Sequence, residues 1–218
     1  MTESMGSETK TTSSTRMILT LGSVGLVASV LLVVTYTVTL PYIEANQAAY
    51  LLASIRDVLP EAETNLAWTI DGESVTNDES GSGPRIFAGF DADSVLYGFA
   101  IEAQGQGYAD VIRIIYGYRP DCACIIGMKV LESRETPGLG DKIGTDPAFR
   151  SNFDSLDVRL DDGGIALIKQ VGKTNPWEID AISGATISSE AITDILNASN
   201  AIVLPVIHAN LEILSRHE

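Results

Sequence analysis

Residues that build most metal and hydrolytic centres are scarce in this chain. Only two cysteines, Cys122 and Cys124, and two histidines, His208 and His217, occur in 218 residues. Two thiols do not complete a four-thiolate iron–sulfur cluster, and no Cys or His pair has zinc-site spacing. No Gly-x-Gly-x-x-Gly follows a strand-like run, so nothing marks a nicotinamide site of the Rossmann kind. Basic residues are few: 14 Lys and Arg stand against 29 Asp and Glu, for a formal charge of −15. Lys10 and Arg16 cancel Glu3 and Glu8, so the whole deficit falls on residues 41–218. Such a surface is a poor partner for nucleic acid or anionic headgroups. A serine nucleophile at Ser183 or Ser188 lacks the glycines of a nucleophile elbow and a histidine in a triad setting. Cys122 and Cys124, read as an i, i+2 pair on a strand, point to one face and are expected to be ordinary buried thiols.

Charge is absent altogether from Met17 to Leu40. As a helix these 24 residues span about 36 Å, enough to cross a hydrocarbon core of about 30 Å. The run is too long for a signal-peptide core and ends without a small-residue cleavage site. Tyr36, Pro41 and Tyr42 give it an interfacial end, and a retained transmembrane anchor is expected. Lys10 and Arg16 precede the span, whereas the first basic residue after it is Arg56. That asymmetry predicts a cytoplasmic N-terminus and an extracytoplasmic bulk, with residues 1–16 a Ser/Thr-rich cytoplasmic tail.

Beyond the anchor, Leu51, Leu52, Ile55, Val58 and Leu59 recur at helical spacing up to Pro60. Residues 41–70 therefore read as an amphipathic helix and a connector. A turn-rich loop comes next over 71–84. Strands are predicted at 94–102, 109–118, 124–131 and 164–171, with a hairpin turn at Tyr118-Arg119-Pro120-Asp121. The next helix runs from Thr186 to about Asn200. Pro205 is expected to break or kink the chain beyond it, and 201–218 is a further helix or tail. Strands first and helices around them give an α+β domain with a mostly antiparallel sheet.

Two small-residue motifs stand out. Asp180-x-x-Ser183-Gly184-Ala185-Thr186, followed by Ser188-Ser189, reads as a tight turn entering a helix. The free N–H groups and positive dipole of a helix start suit a phosphate, and Gly184 and Ala185 let it approach the backbone. A Ser/Thr-capped surface helix explains the same residues. The second motif is Glu135-Thr136-Pro137-Gly138-Leu139-Gly140-Asp141-Lys142. Its glycines can bring backbone N–H groups to a flat ligand, with Leu139 over a ring face and Thr136 at a polar edge; a plain strand-to-loop connection is the alternative.

Asp-x-x-Ser-Gly-Ala-Thr-x-Ser-Ser resembles the flavinylation signature of the FMN-binding domain of redox-driven ion pumps. Gly105-Gln106-Gly107-Tyr108, Val130-Leu131-Glu132, the 135–142 loop and 180–186 occur in that family's order. The chain resembles the G subunits of Rnf-type ion-translocating ferredoxin:NAD oxidoreductases over the anchor and nearly all of the soluble part. Related proteins are the C subunits of sodium-translocating NADH:quinone oxidoreductases, which are the alternative reading; Asp141-Lys142 after Pro-Gly-Leu-Gly favours the Rnf-type subunit. The resemblance implies a covalent-FMN domain over 71–200, with FMN joined to Thr186 through a phosphoester. Ser183, Gly184, Ala185, Ser188, Ser189, residues Glu135 to Gly140 and Lys142 are implied to bind it. A flavin transferase would recognise Asp180. It further implies an electron-relay subunit in the bacterial inner membrane, partnered by other subunits, with the flavin domain periplasmic. Lys142, Lys173 and Trp177 are candidates for tuning or stacking on the ring. The other classes weighed are a hydrolase and a membrane-tethered flavin sensor or scaffold. Cys122-Ala123-Cys124 departs from the family, which has an ordinary turn there.

Overall fold

The computed structural model describes residues 14–77, 83–158, 163–169 and 172–216. The tail expected over 1–16 lies outside these up to residue 13, as do the tip of the 71–84 loop, the end of the 164–171 strand and His217. Two compact units divide the chain, Met1–Ala49 and Tyr50–Glu218.

The first unit is helical. Its described residues belong to α1 (Ser14–Val58), whose side chains from Met17 to Tyr42 are almost all exposed and largely apolar. The serine and threonine hydroxyls on this stretch are satisfied within the helix. Ser29 Oγ donates to Gly25 O at 2.8 Å, and Thr35, Thr37 and Thr39 donate to the carbonyl four residues back at 2.8 Å each. Closing every polar group internally is what a lipid-facing helix requires. The helix is long and apolar enough to cross a membrane.

The second unit is an α+β domain on a seven-stranded antiparallel sheet. Its strands in chain order are β1 (Thr64–Asp71), β2 (Ser74–Thr76), β3 (Arg85–Phe90), β4 (Leu96–Gln106), β5 (Val111–Arg119), β6 (Cys124–Glu132) and β7 (Leu156–Asp157). Their order across the sheet is β2-β1-β3-β4-β5-β6-β7. Between β6 and β7 lie α2 (Lys142–Thr145), α3 (Pro147–Arg150) and a 3-10 turn, Ser151–Phe153. A small parallel pair, β8 (Ala166–Ile168) and β9 (Glu178–Asp180), precedes α4 (Thr186–Ala209) and α5 (Leu211–Leu214).

Both sheet faces are covered. On one, Ile192, Ile195, Leu196, Val203 and Ile207 of α4 join Ile101, Ile112, Ile114, Tyr116 and Phe153 in the main core. The buried Tyr116 hydroxyl reaches Ser199 Oγ at 2.8 Å and Asn200 Oδ1 at 2.9 Å, so the polar end of this side chain is paired. Burial drives the phenol's pKa far above its ordinary value. On the other face, Ile55, Val58 and Leu59 pack on Phe87, Ala100 and Ile115. The close approach there depends on Gly117: a Cβ at that position would lie 2.1 Å from the Val58 carbonyl oxygen. Gly117 pairs across the sheet with Gly127, and Gly89 with Gly98, so missing side chains open a seat for the end of α1 at Val58–Leu59.

Several local expectations change. Thr64–Asp71, read as connector, is a strand of the main sheet, and Arg85–Phe90 is a further strand. Pro205 does not break α4, which runs on to Ala209; the residue lies on the exposed side, where the lost hydrogen bond and the ring are tolerated. Cys122 and Cys124 are not free thiols but a disulfide with Cα atoms 5.2 Å apart. Cys122 lies in the turn before β6, not on a strand, and Ala123 between them has φ +50°. That left-handed residue swings the two side chains together, which extended geometry would not do.

Candidate functional site

Two turns of the same design meet at the start of α4. In Thr136-Pro137-Gly138-Leu139 the Leu139 N–H donates to Thr136 O at 3.1 Å, with Gly138 at φ +77°. In Ile182-Ser183-Gly184-Ala185 the Ala185 N–H donates to Ile182 O at 3.0 Å, with Gly184 at φ +82°. Each is a type II pattern, which needs a left-handed third residue and so selects glycine there. The turns are neighbours: a Cβ built on Gly184 would lie 3.9 Å from Leu139 Cδ2. Ser183 and Gly184 are exposed, Leu139 is 50 % exposed, and Thr186 is half-buried at the first helical position.

The helix start is open. Ala185 occupies the N-cap position, and no side chain caps the first turn. The Thr186 hydroxyl has no hydrogen-bond partner among the described residues. Uncapped N–H groups at the positive end of a 24-residue helix form a place for an anion, beside a turn that carries no side chain at Gly184. The capped surface helix weighed from sequence is therefore not what forms.

Behind this surface the remaining motif residues are turned inward. Glu135 is 6 % exposed. Its Oε2 accepts the Ser188 hydroxyl at 2.5 Å, and its Oε1 accepts the Ala109 N–H at 2.9 Å. One carboxylate thus ties the β4–β5 turn, the 135–140 loop and α4 together. Neighbouring glycines leave room for it: a Cβ on Gly107 would lie 2.6 Å from Oε1, and one on Gly140 would lie 2.5 Å from Oε2. Ser189, fully buried, accepts the Ile182 N–H at 3.1 Å and donates to Ala185 O at 3.0 Å, which fixes the second turn onto the helix. Asp141 Oδ1, next to this junction in sequence, is buried without a hydrogen-bond partner among the described residues.

Asp180 ends β9, and its Oδ1 accepts the Gly172 N–H at 3.0 Å. Asn152, which no motif in the sequence singles out, clamps the backbone of Asp180. Its Oδ1 accepts the Asp180 N–H at 3.0 Å, and its Nδ2 donates to Asp180 O at 3.4 Å. Lys173 Nζ donates to Asn152 O at 3.3 Å, so it serves this clamp. Trp177 is half-buried and leads into Glu178. Glu178 accepts from Asn175 Nδ2 at 2.6 Å and from the N–H groups of Thr174 and Asn175 at 2.7 and 3.0 Å. The Asn175 side chain first, then these backbone donors, hold its carboxyl below the ordinary carboxylate value. Lys142, half-buried, opens α2.

No serine hydrolase centre is assembled among the described residues: Ser188 is spent on Glu135, and His208 Nε2 lies 3.0 Å from the Tyr118 hydroxyl. No cluster of metal-ligating side chains occurs among them either.

Residues 107–200 match the FMN-binding domain family. The chain is similar to the G subunit of the ion-translocating oxidoreductase complex of Methanosarcina acetivorans, 33% identical over 189 residues, covering 85% of this chain and 92% of that protein. It is also similar to the protein of the same name in Cereibacter sphaeroides, 32% identical over 210 residues, covering 91% and 83%. Its fold is shared with NqrC of Shewanella oneidensis, with a TM-score of 0.57 at 20% identity, covering 73% of this chain and 87% of that one. The C subunit of the Parabacteroides distasonis Na(+)-translocating NADH-quinone reductase aligns with a TM-score of 0.53 at 17% identity, covering 72% and 80%.

Proposed function

Since the chain belongs to the G-subunit family of ion-translocating oxidoreductase complexes, we propose that it is the flavin-bearing electron-relay subunit of a membrane ferredoxin:NAD oxidoreductase. The observation that carries this reading is the uncapped start of α4 beside Gly184, with the Thr186 hydroxyl at its edge. FMN fits these residues. Its phosphate suits the free N–H groups, and Gly184 and exposed Ser183 leave an open approach. The orphaned Asp141 Oδ1 leaves a buried acceptor unpaired close by in sequence.

When bound, FMN supplies one- and two-electron redox chemistry. The chain's own residues do the holding. Thr186 would provide the hydroxyl oxygen that joins the FMN phosphate, losing its proton as a flavin transferase that reads Asp180, Ser183, Gly184 and Ala185 transfers FMN from an activated flavin donor whose leaving group departs. Leu139, half-exposed against the Gly184 turn, shields one side of the site. Glu135, Ser188 and Ser189 work behind the surface, holding loop and helix in register. Lys142 remains a candidate to offset negative charge on the bound group. The Met17–Leu40 stretch anchors the subunit in the inner membrane, N-terminus inside, with the flavin domain on the far side.

The test is complementation. Membranes lacking this subunit are supplied with wild-type or Thr186→Ala chain, and ferredoxin-driven NAD reduction is followed. The reading predicts restored turnover with wild type and loss of turnover with the variant, because the flavin and not the protein carries the electrons. Full turnover with Thr186→Ala assembled in the complex would refute it.

A further inference from the structure

β5 has the Glu135 junction at one end and the Cys122–Cys124 turn at the other, so about 27 Å of strand separates them. The two sulfurs differ sharply in access: Cys122 is exposed in the turn, whereas Cys124, the first residue of β6, is 7 % exposed. Cys124 is further held by backbone pairing to Arg119 on one side and Asp157 on the other. Ala123 sits between them at φ +50°, a conformation that hairpin loops ordinarily give to glycine or asparagine. Its carbonyl accepts the Val158 N–H at 3.2 Å, so the turn also pins the chain leaving β7. The Arg119 carbonyl oxygen lies 3.6 Å from Cys122 Sγ. A disulfide sulfur has no proton to donate to that oxygen; a thiol has one, so the reduced turn has an acceptor in place.

We propose that Cys122–Cys124 is a reversible two-electron exchange site for a protein dithiol, entered at Cys122. A thiolate of the partner dithiol attacks Cys122 Sγ, forming a mixed disulfide, while the Cys122–Cys124 bond breaks and Cys124 leaves as a thiolate that takes a proton from solvent. The partner's second thiol then gives up its proton and attacks its own first sulfur, releasing Cys122 as a thiolate that is protonated in turn. The partner ends as a disulfide and the chain as two thiols; oxidised partner runs the sequence backwards. Only Cys122 offers a sulfur from the solvent side, and access decides which sulfur an attacking thiolate reaches. A dithiol completes the exchange within one encounter, whereas a single thiol needs a second molecule to resolve the mixed disulfide. Once the bridge opens, nothing covalent holds Ala123 in the left-handed region, and the Ala123–Val158 bond at the β6–β7 edge loosens. None of this depends on the flavin reading.

The test uses oxidised full-length chain in detergent and a thioredoxin whose resolving cysteine is replaced by serine, which traps the mixed disulfide. Peptide mass spectrometry should map the adduct to Cys122, at least about tenfold over Cys124. Amide exchange at Val158 should quicken in the reduced chain. The proposal is overturned by an adduct mainly on Cys124, or by no adduct while dithiothreitol opens the bridge readily. Unbridged thiols at both positions after air oxidation, or unchanged Val158 exchange on reduction, would also overturn it.

Discussion

Replacing Ser188 by alanine removes one hydroxyl, and the structure says what that hydroxyl does. Glu135 Oε2 loses a 2.5 Å donor within a site where the residue is 6 % exposed, while Oε1 keeps the Ala109 N–H. A buried acceptor left unsatisfied costs about 1–3 kcal/mol, with a charged acceptor at the upper end. In a domain of this size each kcal/mol lowers Tm by about 2–4 °C, so Ser188→Ala should melt about 2–12 °C lower. Thermal unfolding of detergent-solubilised protein, read by near-UV circular dichroism, measures it. Ser183→Ala is the internal control: Ser183 is exposed, and the expected change is within about 0.5 kcal/mol. A double-mutant cycle with Glu135→Gln should show coupling of about 1 kcal/mol or more between the two residues. Equal melting of Ser188→Ala and Ser183→Ala, or strict additivity in the cycle, would refute the idea that this pair clasps the loop to the helix.

Two other predictions address the frame around the site. Gly117→Ala sets a methyl 2.1 Å from the Val58 carbonyl oxygen, backbone that has little freedom to retreat, so urea unfolding should show a loss of about 3 kcal/mol; a loss under about 0.5 kcal/mol would contradict the close packing described. Glu178 has a lowered folded pKa, so its charged form favours the fold. Its contribution is fully present above the ordinary carboxylate value of 4.5 and fades as pH falls through the depressed folded value. Wild type should therefore outlast Glu178→Gln in urea at pH 7, with the gap closing toward pH 3; a gap that does not vary with pH would count against the cause given.

The parts of the fold legible in the sequence were those whose patterns have a single physical reading. An uncharged run from Met17 to Leu40 has few uses other than spanning a membrane, and α4 begins at Thr186 because the type II turn before it holds Gly184 at φ +82°, outside helical geometry. β4, β5 and β6 carry enough β-branched and aromatic residues to be found. β3 did not alternate: residues 86–90 are all buried because helices cover both faces of the sheet, and the period of two disappears. β1 was lost to a polar start and a half-buried middle. Pro205 misled because a proline on the outer side of a long, well-packed helix is survivable. At the candidate site, motif order points to the outer residues Ser183, Gly184 and Leu139 and to the half-buried Thr186. The buried half could not be sorted. Glu135 and Ser188 stand in the same motifs as these residues, and only burial shows that they face each other. Asn152 acts through a contact 28 residues away, which no local pattern reveals.

The claim on which most depends is that Thr186 carries FMN. Full-length wild type and Thr186→Ala, made in cells expressing a flavin transferase, are denatured and compared by in-gel ultraviolet fluorescence and intact mass. The account predicts a fluorescent wild-type band heavier than the polypeptide by FMN less one water, and a dark variant at the plain polypeptide mass. Fluorescence and added mass that persist in Thr186→Ala would contradict it, as would a wild-type chain with neither.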